Sequence, residues 1–120
     1  MNPADLFRKD SDAVQLAGGD FLFREGDKRD VMYVLLDGEM EIRLGDYVVE
    51  TAVPGALIGE MALIDDSPRA ANAVAKTPCR LATIDKRRFH FLVQQHPQFA
   101  THVMKELADR LRHMNAAAMR

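Results

Sequence analysis

The sequence predicts a mainly β fold with flanking helices, and three observations predict it. Between residues 13 and 84, about eight short apolar runs follow one another closely, most of them bounded by Gly, Pro or Asp; this is the pattern of an antiparallel sandwich or roll. After Asp85 the apolar residues change from alternation to recurrence every three or four positions, the helical period. The chain has 120 residues, 48% of them hydrophobic, which suits one compact domain with a real core. The expected organisation is a single domain over 1–120: an N-terminal helix within 1–12, a β-roll over 13–84 and C-terminal helices over 85–120.

Taken in order, Asn2 can cap a short helix with Pro3 at its first position and Asp5 in its first turn, and Asp10 to Asp12 end it. Val14 and Leu16 alternate as a strand, Gly18-Gly19-Asp20 turns, and Phe21 to Phe23 is a second strand before the turn at Gly26-Asp27. Val31 to Leu36 is continuously apolar, consistent with a strand buried on both faces or inside a barrel. Met40, Ile42 and Leu44 alternate with Glu41 and Arg43, a half-buried strand that Gly45-Asp46 joins to Tyr47–Ala52 as a hairpin. Pro54-Gly55 leads into Leu57-Ile58. Ala71–Ala75 and Cys79–Ile84 are the last strands, separated by a turn at Thr77-Pro78. Asp85 is the N-cap of a helix over Lys86–Gln95 with Phe89, Leu92 and Val93 on one face; His96-Pro97 breaks it. Pro97 then starts a second helix carrying Phe99, Val103, Leu107, Leu111 and Met114 as its apolar stripe. Met104 and Met114 beside that stripe would make an adaptable lid over a flat ligand.

The stretch from Ile58 to Ala73 has a different composition from everything around it. Gly59 permits close backbone approach, and Met61 to Ile64 can form one or two helical turns whose first N–H groups attract an anion. Arg69 offers a planar fork of donors suited to phosphate oxygens, and Ala70 and Ala71 leave room beside it. Glu60, once ionised, only accepts hydrogen bonds and suits sugar hydroxyls. Together these describe a site for one phosphate attached to one sugar. The plainer alternative is that Glu60 and Arg69 form a buried ion pair pinning two loops.

This stretch resembles the phosphate-binding cassette of the cyclic nucleotide-binding domain family. Gly59, Glu60, Ala62, Leu63, Arg69 and Ala71 stand at the cassette's spacing, and Gly26-Asp27, Tyr33, Gly38-Glu39, Pro54-Gly55 and His96-Pro97 also sit where the family has them, so that the likeness covers roughly residues 13 to 113. It implies a double-stranded β-helix (jelly roll) followed by two C-terminal helices, the last of which closes over the base or mediates dimer contact. It implies that Glu60 holds the ribose 2′-hydroxyl, that Arg69 holds the cyclic phosphate, and that backbone N–H groups near Met61, Ala62, Ala70 and Ala71 complete the cradle, with Gly59 beside them. Asn72 departs from the Thr or Ser of many members. Ala70 stands where members that prefer cyclic GMP often have Thr, which favours cyclic AMP over cyclic GMP as the ligand.

The remaining features narrow the function. Net charge is −2, giving no general attraction to nucleic acid. Residues 1–75 carry 7 basic and 15 acidic side chains and residues 76–120 carry 9 and 3, read either as complementary faces of one domain or as a basic helical patch for an acidic partner. Cys79 is the only cysteine, no signal pattern opens the chain and no stretch approaches membrane-spanning length; a cytoplasmic setting is expected. All four histidines, His90, His96, His102 and His113, fall in the helical part, so a metal-binding jelly roll lacks ligands on its strands, and no nucleophile–base arrangement supports an enzyme. Only seven residues follow His113, too few for an appended helix-turn-helix. The expected activity is a sensor with no cofactor or metal, passing a ligand signal through the C-terminal helix to a protein partner or a second copy. The competing expectation is an interaction module of the same fold that binds no nucleotide.

Overall fold

The computed structural model describes residues 2–28, 30–63 and 67–118. Among these, eight strands run β1 Val14–Leu16, β2 Phe21–Phe23, β3 Val31–Asp37, β4 Met40–Leu44, β5 Tyr47–Ala52, β6 Leu57–Ile58, β7 Asn72–Ala75 and β8 Cys79–Asp85, followed by helices α1 Lys86–Gln95 and α2 Pro97–Ala118. They form two antiparallel four-stranded sheets in the orders β1-β8-β3-β6 and β2-β7-β4-β5. Only β4 and β5 are joined as a hairpin within one sheet; each other strand-to-strand connection passes from one sheet to the other, which winds the chain into the expected roll.

Burial explains the long apolar run of β3. Alternate side chains of a strand face opposite ways. Met32, Val34 and Leu36 enter a core shared with Ala4, Phe7, Leu92, Phe99 and Val103, whereas Leu35 enters a second core with Met40, Ile58, Ala73 and Leu81 between the sheets. β8 divides in the same way, with Ala82 and Ile84 toward the helices and Cys79 and Leu81 toward the opposite sheet. The sheet containing β3 is therefore the middle layer, covered by a sheet on one side and by helices on the other.

The N-terminal element is shorter than the sequence suggests. Only Pro3–Leu6 is helical, as a 3-10 turn capped by Asn2, whose side-chain oxygen accepts the Ala4 N–H at 3.0 Å. Past Phe7 the chain turns, and Asp10 accepts the Asp12 N–H at 3.3 Å, the local bonding by which Asp competes with a helix. At the other end, Asp85 caps α1 as expected and accepts the Arg88 N–H at 2.7 Å. The stripe of α2 packs only part way: Phe99 and Val103 are buried and Leu107 is partly buried, but Leu111 is 59% exposed. Met104 is 61% exposed and is no lid in this arrangement; the side chain of Met114 lies outside the described residues.

Phe99 joins the helices to the body. Its ring meets Phe7 edge-on at 6.4 Å and Phe89 at 6.0 Å, so three separate elements converge on it. Phe99→Ala is expected to destabilise the fold by about 3–5 kcal/mol in denaturant titration, the usual cost of emptying a buried aromatic position. A loss below about 1 kcal/mol would mean that α2 is not anchored there.

Candidate functional site

The site is built around the side chain of Arg69, which is only 4% exposed. Its Nη1 donates to the Gly59 carbonyl at 3.2 Å and its Nη2 to the Val31 carbonyl at 2.6 Å. The guanidinium lies 4.2 Å from the centre of the Phe23 ring, which itself stacks on Tyr33; an aromatic face attracts a cation and fixes its plane. The backbone is clamped as well. The Arg69 N–H donates to the Asp27 carbonyl and the Arg69 carbonyl accepts the Gly26 N–H, both at 2.9 Å. Asn72 accepts the Glu25 N–H at 2.7 Å, tying β7 to the same turn. The Gly26-Asp27 turn and Asn72 are thus parts of one device that aims Arg69.

Gly59 is required twice over. Its φ of +73° is one that L side chains rarely adopt, and a Cβ there would collide with the Arg69 guanidinium. Beyond it, Glu60–Leu63 forms a single 3-10 turn, in place of one or two turns over Met61 to Ile64; Ile64 lies outside the described residues. Ala62 is fully buried and its N–H already donates to the Gly59 carbonyl at 3.1 Å.

The carboxylate of Glu60 is 5% exposed and accepts a close charge-assisted bond from Nη1 of Arg110 on α2. It therefore pairs with Arg110 and not with Arg69, which sets aside the simple pinning pair. Nη2 of Arg110 donates to the Leu57 carbonyl at 2.8 Å and lies 3.5 Å from Glu50 of β5. One helical turn earlier, Glu106 accepts the Leu57 N–H at 3.2 Å. Leu57 belongs to β6, the edge of its sheet, so α2 satisfies both outward backbone groups of that residue. Burial alone would lower the pKa of Arg110, and its bond to Glu60, helped by Glu50 and Glu106, more than reverses this. Burial pushes Glu106 up to about 7; Arg110 and the Leu57 N–H oppose the rise, while Glu60 and Glu50 add to it.

Gly59, Glu60, Met61, Arg69, Ala70 and Ala71 all line one cavity of about 330 Å³. Of the residues expected at the site, Ala62 alone is not in its wall. Its polar lining includes Arg69 and Glu60 beside the small residues. Its apolar lining includes Ile42, Leu44, Val49 and Met61, and Arg110 reaches the wall from α2. Such a lining offers a cation, an accepting carboxylate and apolar surface to a ligand. Arg110, Glu106 and Glu50 were not legible as site residues. Glu106 and Arg110 are four apart on a helix, which reads as an ordinary surface pair. Among the described residues, no group of three or more His, Cys, Asp or Glu could hold a metal ion, and no helix is long and apolar enough to cross a membrane.

Comparison with known proteins identifies the family and the fold. The model of the cyclic nucleotide-binding domain matches residues 13–96. The chain is similar to the cAMP-dependent protein kinase regulatory subunit of Schizosaccharomyces pombe, 39% identical over 90 residues that cover 72% of this chain and 22% of that protein. It is 41% identical to the corresponding subunit of Eremothecium gossypii over 71 residues, 59% of this chain and 16% of that protein. The crystal structure of Thermus thermophilus catabolite activator protein is similar with a TM-score of 0.75 at 25% identity, over 92% of this chain and 59% of that one. The chain spans roughly a fifth of the length of the curated relatives it matches.

Gly59→Ala tests the geometry independently of any ligand. The strained φ is expected to cost about 1–2 kcal/mol of stability, and the displaced Arg69 should release the Val31 carbonyl, visible as faster amide exchange in β3. An unperturbed melting temperature would show that Gly59 does not hold this conformation in solution.

Proposed function

This chain belongs to the cyclic nucleotide-binding domain family, and from that premise we propose that it is a sensor of cyclic AMP, preferred over cyclic GMP. Arg69 receives the cyclic phosphate and Glu60 the ribose 2′-hydroxyl. The observation that carries the reading is a buried guanidinium, aimed by a dedicated turn, in the wall of a cavity that Gly59, Ala70 and Ala71 also line. Ala70 supplies no hydroxyl to accept the amino group of guanine, which supports the adenine base.

Glu60 serves two partners in this reading. Arg110 takes one carboxylate oxygen, and the other accepts from the sugar. Because Arg110 is part of the cavity wall, a ligand that touches it binds better when α2 is docked. Binding then shifts α2 toward the docked arrangement by the difference between those affinities. The function is recognition and signalling, with no bond made or broken. The output is the altered presentation of α2, with Met104 and Leu111 exposed on it, to a protein partner or a second copy in the cytoplasm.

Calorimetric titration with cyclic AMP and cyclic GMP, on protein unfolded and refolded to remove carried-over ligand, tests this directly. One-to-one binding, tighter for cyclic AMP, is expected, with a melting temperature that rises with ligand. Binding of neither nucleotide would overturn the sensor reading and leave an interaction module of the same fold. Arg69→Ala should weaken binding by about 2 kcal/mol or more, as loss of a charged hydrogen-bonding partner does. Glu60→Gln would be nearly harmless if accepting one sugar hydrogen bond were the residue's whole role. The Arg110 pair makes a larger loss the expected result, accompanied by faster exchange in α2.

A further inference from the structure

Glu106 is a half-buried carboxyl group that the ligand contacts do not use. It sits where four elements meet. From β6 the Leu57 N–H donates to its Oε2. From β5 and from the 3-10 turn, the carboxylates of Glu50 and Glu60 face it, and on α2 itself Arg110 and His102 lie one turn to either side. Three carboxylates thus share one guanidinium, that of Arg110. Nε2 of His102 is 3.9 Å from Oε1 of Glu106, is sealed from solvent, and has no hydrogen-bond partner among the described residues.

We infer that Glu106 is a positioning residue of the site, and that adding a proton to it tightens the hold of α2 on Leu57 and Arg110. A neutral carboxyl group keeps one oxygen for the Leu57 N–H and gains an O–H directed at the unpartnered His102 nitrogen. It also removes one of the three crowded negative charges, while Arg110 keeps Glu60 and Glu50. When α2 lifts away, Glu106 returns to water and to ordinary acidity.

The sign follows by linkage. With Glu106 titrating at about 7 in the docked state and lower when α2 is released, docking is strongest in acid and weakens as pH rises through about 7. Burial holds His102 below its ordinary value, which favours the neutral imidazole. The change available between pH 6 and pH 8 is at most about tenfold in the docking equilibrium.

Three measurements test this. In ligand-free wild-type protein, carbon NMR of the Glu106 carboxyl group should show a midpoint near 7; an ordinary carboxylate midpoint would overturn the inference without any variant. Amide protection in α2, corrected for intrinsic exchange, should be several-fold higher at pH 6 than at pH 8. It should become pH-independent in Glu106→Gln, whose amide imitates the neutral acid. Protection that varies equally in both proteins would also overturn it. The third measurement rests on the cyclic nucleotide reading: cyclic AMP should bind wild type several-fold more tightly at pH 6 than at pH 8, and Glu106→Gln equally at both. Equal affinity of wild type at the two pH values would separate Glu106 from the site. Absence of cyclic AMP binding at either pH would sink the sensor reading, while the two ligand-free measurements would still decide the role of Glu106.

Discussion

Glu60 is a carboxylate almost wholly removed from water, and an uncompensated charge in that position would cost several kcal/mol. Its partner, Arg110, is 50 residues away in sequence. Much of the architecture follows from bringing the two together. α2 has to cross the open edge of β6, which fixes its direction after His96-Pro97. Phe99 and Val103 have to be buried at its start so that its second half points at the cassette. The edge strand gains in return, because α2 satisfies the outward N–H and carbonyl of Leu57. A helix that covers a sheet edge blocks further strand pairing there. One ion pair thereby links the cavity beside Arg69, the sheet edge and the C-terminal helix.

Arg69 meets the same constraint differently. Two backbone carbonyls and an aromatic ring receive it. Its charge is thus supported by carbonyl dipoles and an aromatic face. Glu60 is held by a guanidinium and Arg69 by carbonyls and a ring, so the two buried charges of the cassette rest on different supports.

Local chemistry was legible in the sequence and long-range pairing was not. The Asp85 cap, the Gly45-Asp46 hairpin and the break at His96-Pro97 are each decided by one or two residues, and the strands between Val14 and Asp85 follow a period set by the backbone itself. The cassette was legible because Gly59, Glu60 and Arg69 lie close in sequence. Arg110 and Glu106 were not, because their role depends on where a helix lands after an entire β-roll, and a Glu–Arg pair four apart looks the same on any solvated helix. The run Lys86-Arg87-Arg88 is the converse case. Three cations at a helix start are unfavourable by the dipole alone, yet Arg88 turns back to the Thr83 carbonyl at 2.8 Å, to Asp10 at 3.3 Å and over the Phe7 ring. Its charge secures the N-terminal segment, which no local rule could have shown. The acidic first part and basic last part of the sequence are likewise joined by Arg88–Asp10, Arg80–Asp37, Arg110–Glu50 and Arg110–Glu60.

The two halves of α2 are held by different forces. Up to Leu107 the helix is fixed by apolar burial, including Phe99 between two other aromatic rings. Such contacts are short-ranged and close-packed, and they give way all at once or not at all. Beyond Leu107 the apolar stripe emerges into solvent at Leu111, and the main contacts with the body become polar: Arg110 to Glu60, Leu57 and Glu50, with Glu106 just before them. The outer members of this set are partly exposed and can be exchanged for water at modest net cost, whereas Glu60 is buried and needs its partner. The second half of α2 is therefore held by a few side chains around Glu60, while the first half is anchored at Phe99. One helix thus carries both an apolar anchor and a polar grip on the cassette, and the two grips answer to different physical chemistry.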